Sequence, residues 1–217
     1  MNRKSFLTAS TLALAISTAT TAVYSAELEE IIVTAQKRAE SLQDVPISMS
    51  ALSGSTIKDN GIHSFQDLSG YVPNLEIAEN AVNTIITMRG IGIGSNQSFE
   101  QSVGIYVDGV HFGKSRQVRS GLFDVEQVEV LRGPQGILFG KNTLAGAINV
   151  TTASANVGDE FSGGIDVSQE SYNGQIVDAH IAGSVTDNLA LRFAIRDRTR
   201  DGHIKNTMPG ASTDTMA

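Results

Sequence analysis

The residue types that could carry out chemistry are present, but in the wrong arrangements for catalysis. His63, His111, His180 and His203 are dispersed, none with a partner four residues on, so they cannot form a helical metal pair. Gly90, Gly92 and Gly94 follow a β-branched run, as a dinucleotide loop would. The third glycine comes one residue early for G-x-G-x-x-G, however, and no helix-forming run follows. Gly140-Lys141 suggests a phosphate loop, yet Gln135 stands where its first glycine belongs and Asn142 where Ser or Thr must reach magnesium. No G-x-S-x-G elbow occurs. With no cysteine there is no disulfide, thiolate zinc site or iron–sulfur cluster. The sequence therefore predicts no catalytic residue, no cofactor and no metal. What remains is recognition. Arg132 ends an alternating strand beside Gly133-Pro134, and a guanidinium buried there needs an acid; Glu126 and Glu129 are the near ones. Ile31 to Ala35 is a short β-prone patch between Glu27, Glu29 and Glu30 on one side and Lys37 and Arg38 on the other. Such an arm can add to the exposed edge of another protein's sheet, or serve as an edge strand of its own fold.

The elements that must position these groups read as follows. Asn2, Arg3 and Lys4 precede a short apolar core from Phe6 to Ile16 and then small residues to Ala26, the layout of a secretory signal peptide. Cleavage after Ser25 fits best. The core is shorter than the ~20 residues a membrane helix needs. The chain of 217 residues carries a net charge of −7, which argues against nucleic acid as a partner. A hydrophobic content of 41% argues against disorder.

From Val45 to Thr152 strands and short helices interleave. Pro46–Leu52 reads as a strand, Ser53–Asn60 as a helix closed by Gly61, and Ser64 with Asp67 as the cap of another. Thr84–Met88, Val103–Val107, Phe123–Leu131 and Ala147–Thr151 read as further strands. Beyond Glu160 the period becomes strictly two. Ile165 and Val167, then Val177, Ala179 and Ile181, then Leu189, Leu191, Phe193 and Ile195 alternate with polar residues. Asn173-Gly174 is a two-residue hairpin signal, and Thr186-Asp187-Asn188 makes a second turn. Three dyad-repeat strands of ~10 residues match transmembrane β-strands; a soluble antiparallel sheet has the same alternation.

Val128–Val150, VEVLRGPQGILFGKNTLAGAINV, is punctuated by Gly133, Gly136, Gly140 and Gly146 and closely resembles the plug domain of TonB-dependent outer-membrane receptors. Around it, EIIVTAQ at Glu30–Gln36 is similar to the family's TonB box. MRGIGIG, ending at Gly94, and VGIYVDGV at Val103–Val110 are similar to the middle of the plug. Ala145 stands where the family often has the first of paired glycines.

The resemblance implies an α+β plug domain, a small mixed sheet with short helices, followed by the first antiparallel strands of a transmembrane β-barrel. The implied organisation is a signal peptide over 1–25, a TonB-box arm over 26–44, the plug over 45–156 and the start of the barrel over 157–217. It implies a non-enzymatic outer-membrane receptor for energy-coupled uptake of a scarce nutrient such as a ferric siderophore, contacting outer-membrane lipid through its strands. Ile31, Ile32, Val33, Thr34 and Ala35 would pair with TonB. Arg89 and Arg132 would face acids on the barrel wall. Ligand-facing loops are expected at Ser95, Asn96 and Gln97 and at His111, Lys114, Arg116 and Arg119. The last three are a cationic set suited to an anionic ferric chelate, or else a solvated loop. The family's barrel has about 22 strands, and three strands cannot close. The sequence therefore reads as a fragment, a truncated product or half of a split system. The alternative to a receptor is a soluble periplasmic binding or signalling module.

Overall fold

The computed structural model describes residues 31–34, 37–80, 83–94 and 100–202. The expected signal peptide, Ala35, and the loop residues Ser95, Asn96 and Gln97 lie outside them.

A hairpin arm comes first, β1 (Ile32–Val33) paired antiparallel with β2 (Glu40–Ser41). Then β3 (Met49–Ser53) runs into the helix Gly54–Asp59. The Ser53 hydroxyl caps that helix by accepting from the Thr56 N–H at 3.3 Å. The strand starts three residues later than Pro46. Two 3-10 turns follow in the chain, Gln66–Gly70 and Ser115–Ser120. The first is held by Asp67, whose carboxylate accepts from the N–H groups of His63 and Ser64.

Between these turns lie β4 (Leu75–Glu79), β5 (Thr84–Met88) and β6 (Ile91–Gly92), an antiparallel meander, then β7 (Val103–Val107) and β8 (Val110–His111). β9 (Val125–Arg132) and β10 (Gly146–Thr152) complete a mixed five-stranded sheet ordered β3-β9-β10-β7-β8. Only the β10–β7 pair is parallel, since the other neighbours run antiparallel.

The sheet has two distinct faces because side chains alternate along each strand. Val103, Ile105, Val128, Val130, Ile148 and Val150 point into the main core with Leu68, Leu75 and Met88. Gly104, Tyr106, Glu129, Leu131, Ala147 and Asn149 occupy the other face by the same register. That second face is covered in part by the arm, whose Val33 is buried.

After β10 come β11 (Ser162–Glu170), β12 (Gly174–Thr186) and β13 (Leu189–Thr199), an antiparallel sheet of their own. The β11–β12 turn takes three residues, with Tyr172 and Asn173 both at positive φ, where two residues were expected. One face of this sheet carries Ile165, Ile181, Phe193 and Ile195, all exposed. A contiguous apolar face of that kind is costly in water and suits hydrocarbon. The opposite face carries Asp166, Asp178, Arg192 and Arg196. Among the described residues no helix is long and apolar enough to cross a membrane, a statement that leaves strands aside.

Candidate functional site

The arm is seated by its main chain. Ile32 pairs with Ser41 and Val33 with Glu40, and the Leu42 N–H donates to the Ile31 carbonyl at 2.9 Å. Lys37 N–H closes the turn onto the Thr34 carbonyl at 2.8 Å. Of the two readings open to this patch, an edge strand of the chain's own fold is the one it adopts in this structure.

Beneath the arm lies Glu129, fully buried in the middle of β9. The Thr34 backbone N–H donates to its Oε1, as does the Thr34 hydroxyl at 3.3 Å, while Asn149 Nδ2 donates to its Oε2 at 2.9 Å. Gln127, two residues earlier on the same face, donates from Nε2 to the Ile32 carbonyl at 3.0 Å. Glu129 is therefore not the acid that serves Arg132. The Arg132 guanidinium instead donates to Ser48 Oγ at 3.1 Å and to the Met49 and Pro73 carbonyls at 3.0 and 3.4 Å. Three neutral oxygens spread over a planar donor fork do the work expected of one carboxylate. Arg89, exposed and at φ +52°, brings a guanidinium nitrogen to Gly133, next to Arg132.

The cationic loop is not one cluster. Arg119 donates to Thr84 Oγ1 at 3.2 Å and to the Asn80 carbonyl, with Glu79 4.0 Å away, so it braces the β4–β5 hairpin. His111 stacks beside Tyr106, with ring centres 5.1 Å apart, and Tyr106 meets Phe139 at 4.9 Å. That row of rings ends under Lys37 of the arm, 5.3 Å over Phe139. The Tyr106 hydroxyl donates to the Phe139 carbonyl, and burial pushes the phenol's pKa up. Lys114 and Arg116 remain exposed at the start of the second 3-10 turn.

A second joint was not anticipated. Arg192 on β13 grips Asp124 with two charge-assisted bonds of 2.7 and 2.6 Å. Arg196 forks onto Asp178 and also donates to the Leu122 carbonyl at 2.6 Å, its guanidinium 5.2 Å from the Phe123 ring centre. Lys58 pairs with Asp166 at 2.7 Å. The corner at residues 122–124 is thus fastened to the polar face of β11–β13. Strand alternation marked Arg192 and Arg196 as sharing a face, but Asp124, a lone acid ahead of β9, carried no signal of its own. Among the described residues no group of three or more His, Asp or Glu could hold a metal ion.

Comparison with known proteins bears on what this arrangement serves. Residues 41–147 match the family model described as TonB-dependent Receptor Plug Domain. The pesticin receptor of Yersinia pestis is 32% identical over 167 residues, spanning 72% of this chain and 24% of the receptor. An iron-regulated outer membrane virulence protein of Vibrio cholerae is 27% identical over 192 residues, 80% of this chain and 28% of that protein. The crystal structure of the ferric yersiniabactin uptake receptor from Yersinia pestis aligns with a TM-score of 0.69 at 28% identity, covering 79% of this chain and 27% of that one. The chain therefore spans about a quarter of the length of the relatives it matches.

Proposed function

The chain belongs to the TonB-dependent receptor family through its plug domain, residues 41–147, and on that premise we propose that it serves energy-coupled uptake of a ferric siderophore across the outer membrane. Its relatives are receptors and transporters, not enzymes. The observation that carries the reading is the sequence of parts. A plug is followed directly by three antiparallel strands whose outer face is apolar and whose inner face is fastened to the plug by Arg192 and Arg196.

In this reading residues 1–25 direct export, and the outer face of β11–β13 lies in lipid. The segment Ile31–Ala35 is the element that TonB takes up by strand addition. Main-chain bonds then supply affinity without demanding particular side chains. Arg89, whose guanidinium reaches toward Gly133, and Arg132 present positive charge to acids on the wall. The ligand face is assigned to Ser95, Asn96 and Gln97 and to Lys114 and Arg116. His111 and Arg119 are left out of it, because their rings and guanidinium are committed within the plug. The iron-linked names of two relatives support the ferric siderophore class. Accumulation of radioactive iron, supplied as ferric yersiniabactin to iron-starved cells carrying the gene, tests it. Uptake that stops when TonB is deleted supports the reading. Uptake indifferent to TonB, or no gain from the gene across a panel of ferric siderophores, contradicts it.

A further inference from the structure

A cavity of about 250 Å³ opens on the main-core side of the five-stranded sheet, where β7 and β10 end and β9 begins. Phe65, Val107, Phe112, Leu122, Phe123 and Val150 form most of its wall. Among the described residues no charged side chain lines it. Its two hydroxyls are already committed, Ser120 donating to the Gln117 carbonyl and Thr152 to the Asp108 carboxylate. Apolar walls normally close on one another, because interiors pack densely. These are held apart by main-chain bonds from separate elements. Val107 and Val150 are ladder partners in the parallel pair. The Phe112 N–H donates to the Ile105 carbonyl at 2.8 Å, and the Leu122 N–H to the His63 carbonyl at 2.9 Å. Val107 and Phe112 therefore stay half-buried although they pack on the core.

We propose that this cavity is a binding site for a small neutral aromatic group, and that its occupancy is coupled to the hold of Arg196 on the corner at residues 122–124. Apolar cavities of about 150 Å³ stay dry and take benzene, so this larger one takes a ring carrying a short substituent. Phe65, Phe112 and Phe123 offer ring edges and faces to an aromatic guest. A charged guest is excluded, because nothing in the lining would pair with it. The coupling comes from two shared residues. The Leu122 carbonyl accepts from Arg196 at 2.6 Å, and the Phe123 ring centre lies 5.2 Å from its guanidinium. A guest against Phe123 and the grip of Arg196 fix the same side chain, so each favours the other. None of this rests on the transport reading above.

Toluene is the probe, and methyl NMR of the full chain in detergent is the readout. Toluene should shift the methyl signals of Val107, Leu122 and Val150 saturably, half-way at about 1 mM, as befits an apolar ligand of its size. Ile77 and Ile86, elsewhere in the core, should not move. Ile165 and Ile181, exposed on the outer face, should drift without saturating as toluene enters the micelle. Benzoate should leave the cavity methyls in place. Val107→Phe fills the space and should weaken binding about tenfold, and the gentler Val107→Leu by a smaller factor. Arg196→Met should raise the half-saturation concentration about fivefold. No saturable shift at the cavity methyls overturns the site, as does equal affinity in wild type and both Val107 variants. Contacts from those methyls to another side chain of the chain, undisturbed by toluene, also overturn it. Wild-type affinity in Arg196→Met overturns the coupling.

Discussion

Replacing Gly146 by Ala should unsettle the plug out of proportion to one methyl group. Gly146 opens β10 and lies between Arg132 on β9 and Val103 on β7. A Cβ there would stand 2.3 Å from the Leu131 carbonyl oxygen and 2.2 Å from Met88 Sδ. The thioether can bend away, since methionine adapts to tight spaces. The carbonyl cannot, because it belongs to β9, a strand paired on both sides, with β3 and β10. Relief requires β9 and β10 to part at their shared end, which strains the ladder and shifts the buried residues behind it. Overpacking of this kind costs about 2 kcal/mol, which for a domain of roughly a hundred residues lowers Tm by about 10 °C. Two neighbours calibrate the measurement. At Gly104 the nearest groups are the Thr143 methyl at 2.4 Å and the Tyr106 ring at 2.9 Å, side chains that can rotate, so Gly104→Ala should cost less. At Gly136 nothing lies within 4 Å, so Gly136→Ala should leave Tm unchanged or raise it slightly. Thermal unfolding of the full chain in detergent, followed by circular dichroism, orders the three. A Gly146→Ala variant melting with wild type, or no lower than Gly136→Ala, refutes the packing argument.

Arg192→Leu should strip Asp124, only 19% exposed, of its two bonds and loosen the corner by about 2 kcal/mol; amides at 122–125 should exchange faster while those of β5 do not. Phe193→Arg, on the outer face, should cost about 2–4 kcal/mol if placed at mid-bilayer, shifting the chain out of the outer-membrane fraction on a density gradient. Arginine at Ala194, one residue on and facing inward, should shift it less. Tyr106→Phe keeps the ring stack and loses the bond to the Phe139 carbonyl, about 1 kcal/mol. Because burial raises this phenol's pKa, the folded chain holds the proton that the unfolded chain gives up at about pH 10, so stability falls as pH rises through that range. The variant should flatten that alkaline slope in urea titrations.

Local structure was legible where one residue type decides it. Thr84–Met88 and Val103–Val107 form strands with the expected bounds, because β-branched runs ended by turn residues leave few alternatives. The helix read over Ser53–Asn60 forms at Gly54–Asp59, with Ser53 as its cap. The alternation of β11–β13 showed which residues share a face. What covers a face was not legible. Alternation puts Glu129 on the strand face opposite Val128 and Val130 without saying what covers that face; the arm, 95 residues away in sequence, lies over it. Arg132 suggested a carboxylate partner, and the chain supplies carbonyls from Met49 and Pro73 instead. The grip of Arg192 on Asp124 spans 68 residues and depends on how the plug and strands are placed together. Periodicity carries the direction of a side chain, and only tertiary packing supplies its partner.

Val33→Pro tests the central claim most directly. Proline removes one N–H from the strand and fixes its φ, so no partner can complete a ladder across that position. The same change also unseats the arm, which removes seating as an explanation for weak binding. Capture of the purified periplasmic domain of TonB by the full chain and by this variant should show binding by the first and its loss in the second. Equal capture by both would mean that Ile31–Ala35 is not the strand TonB takes.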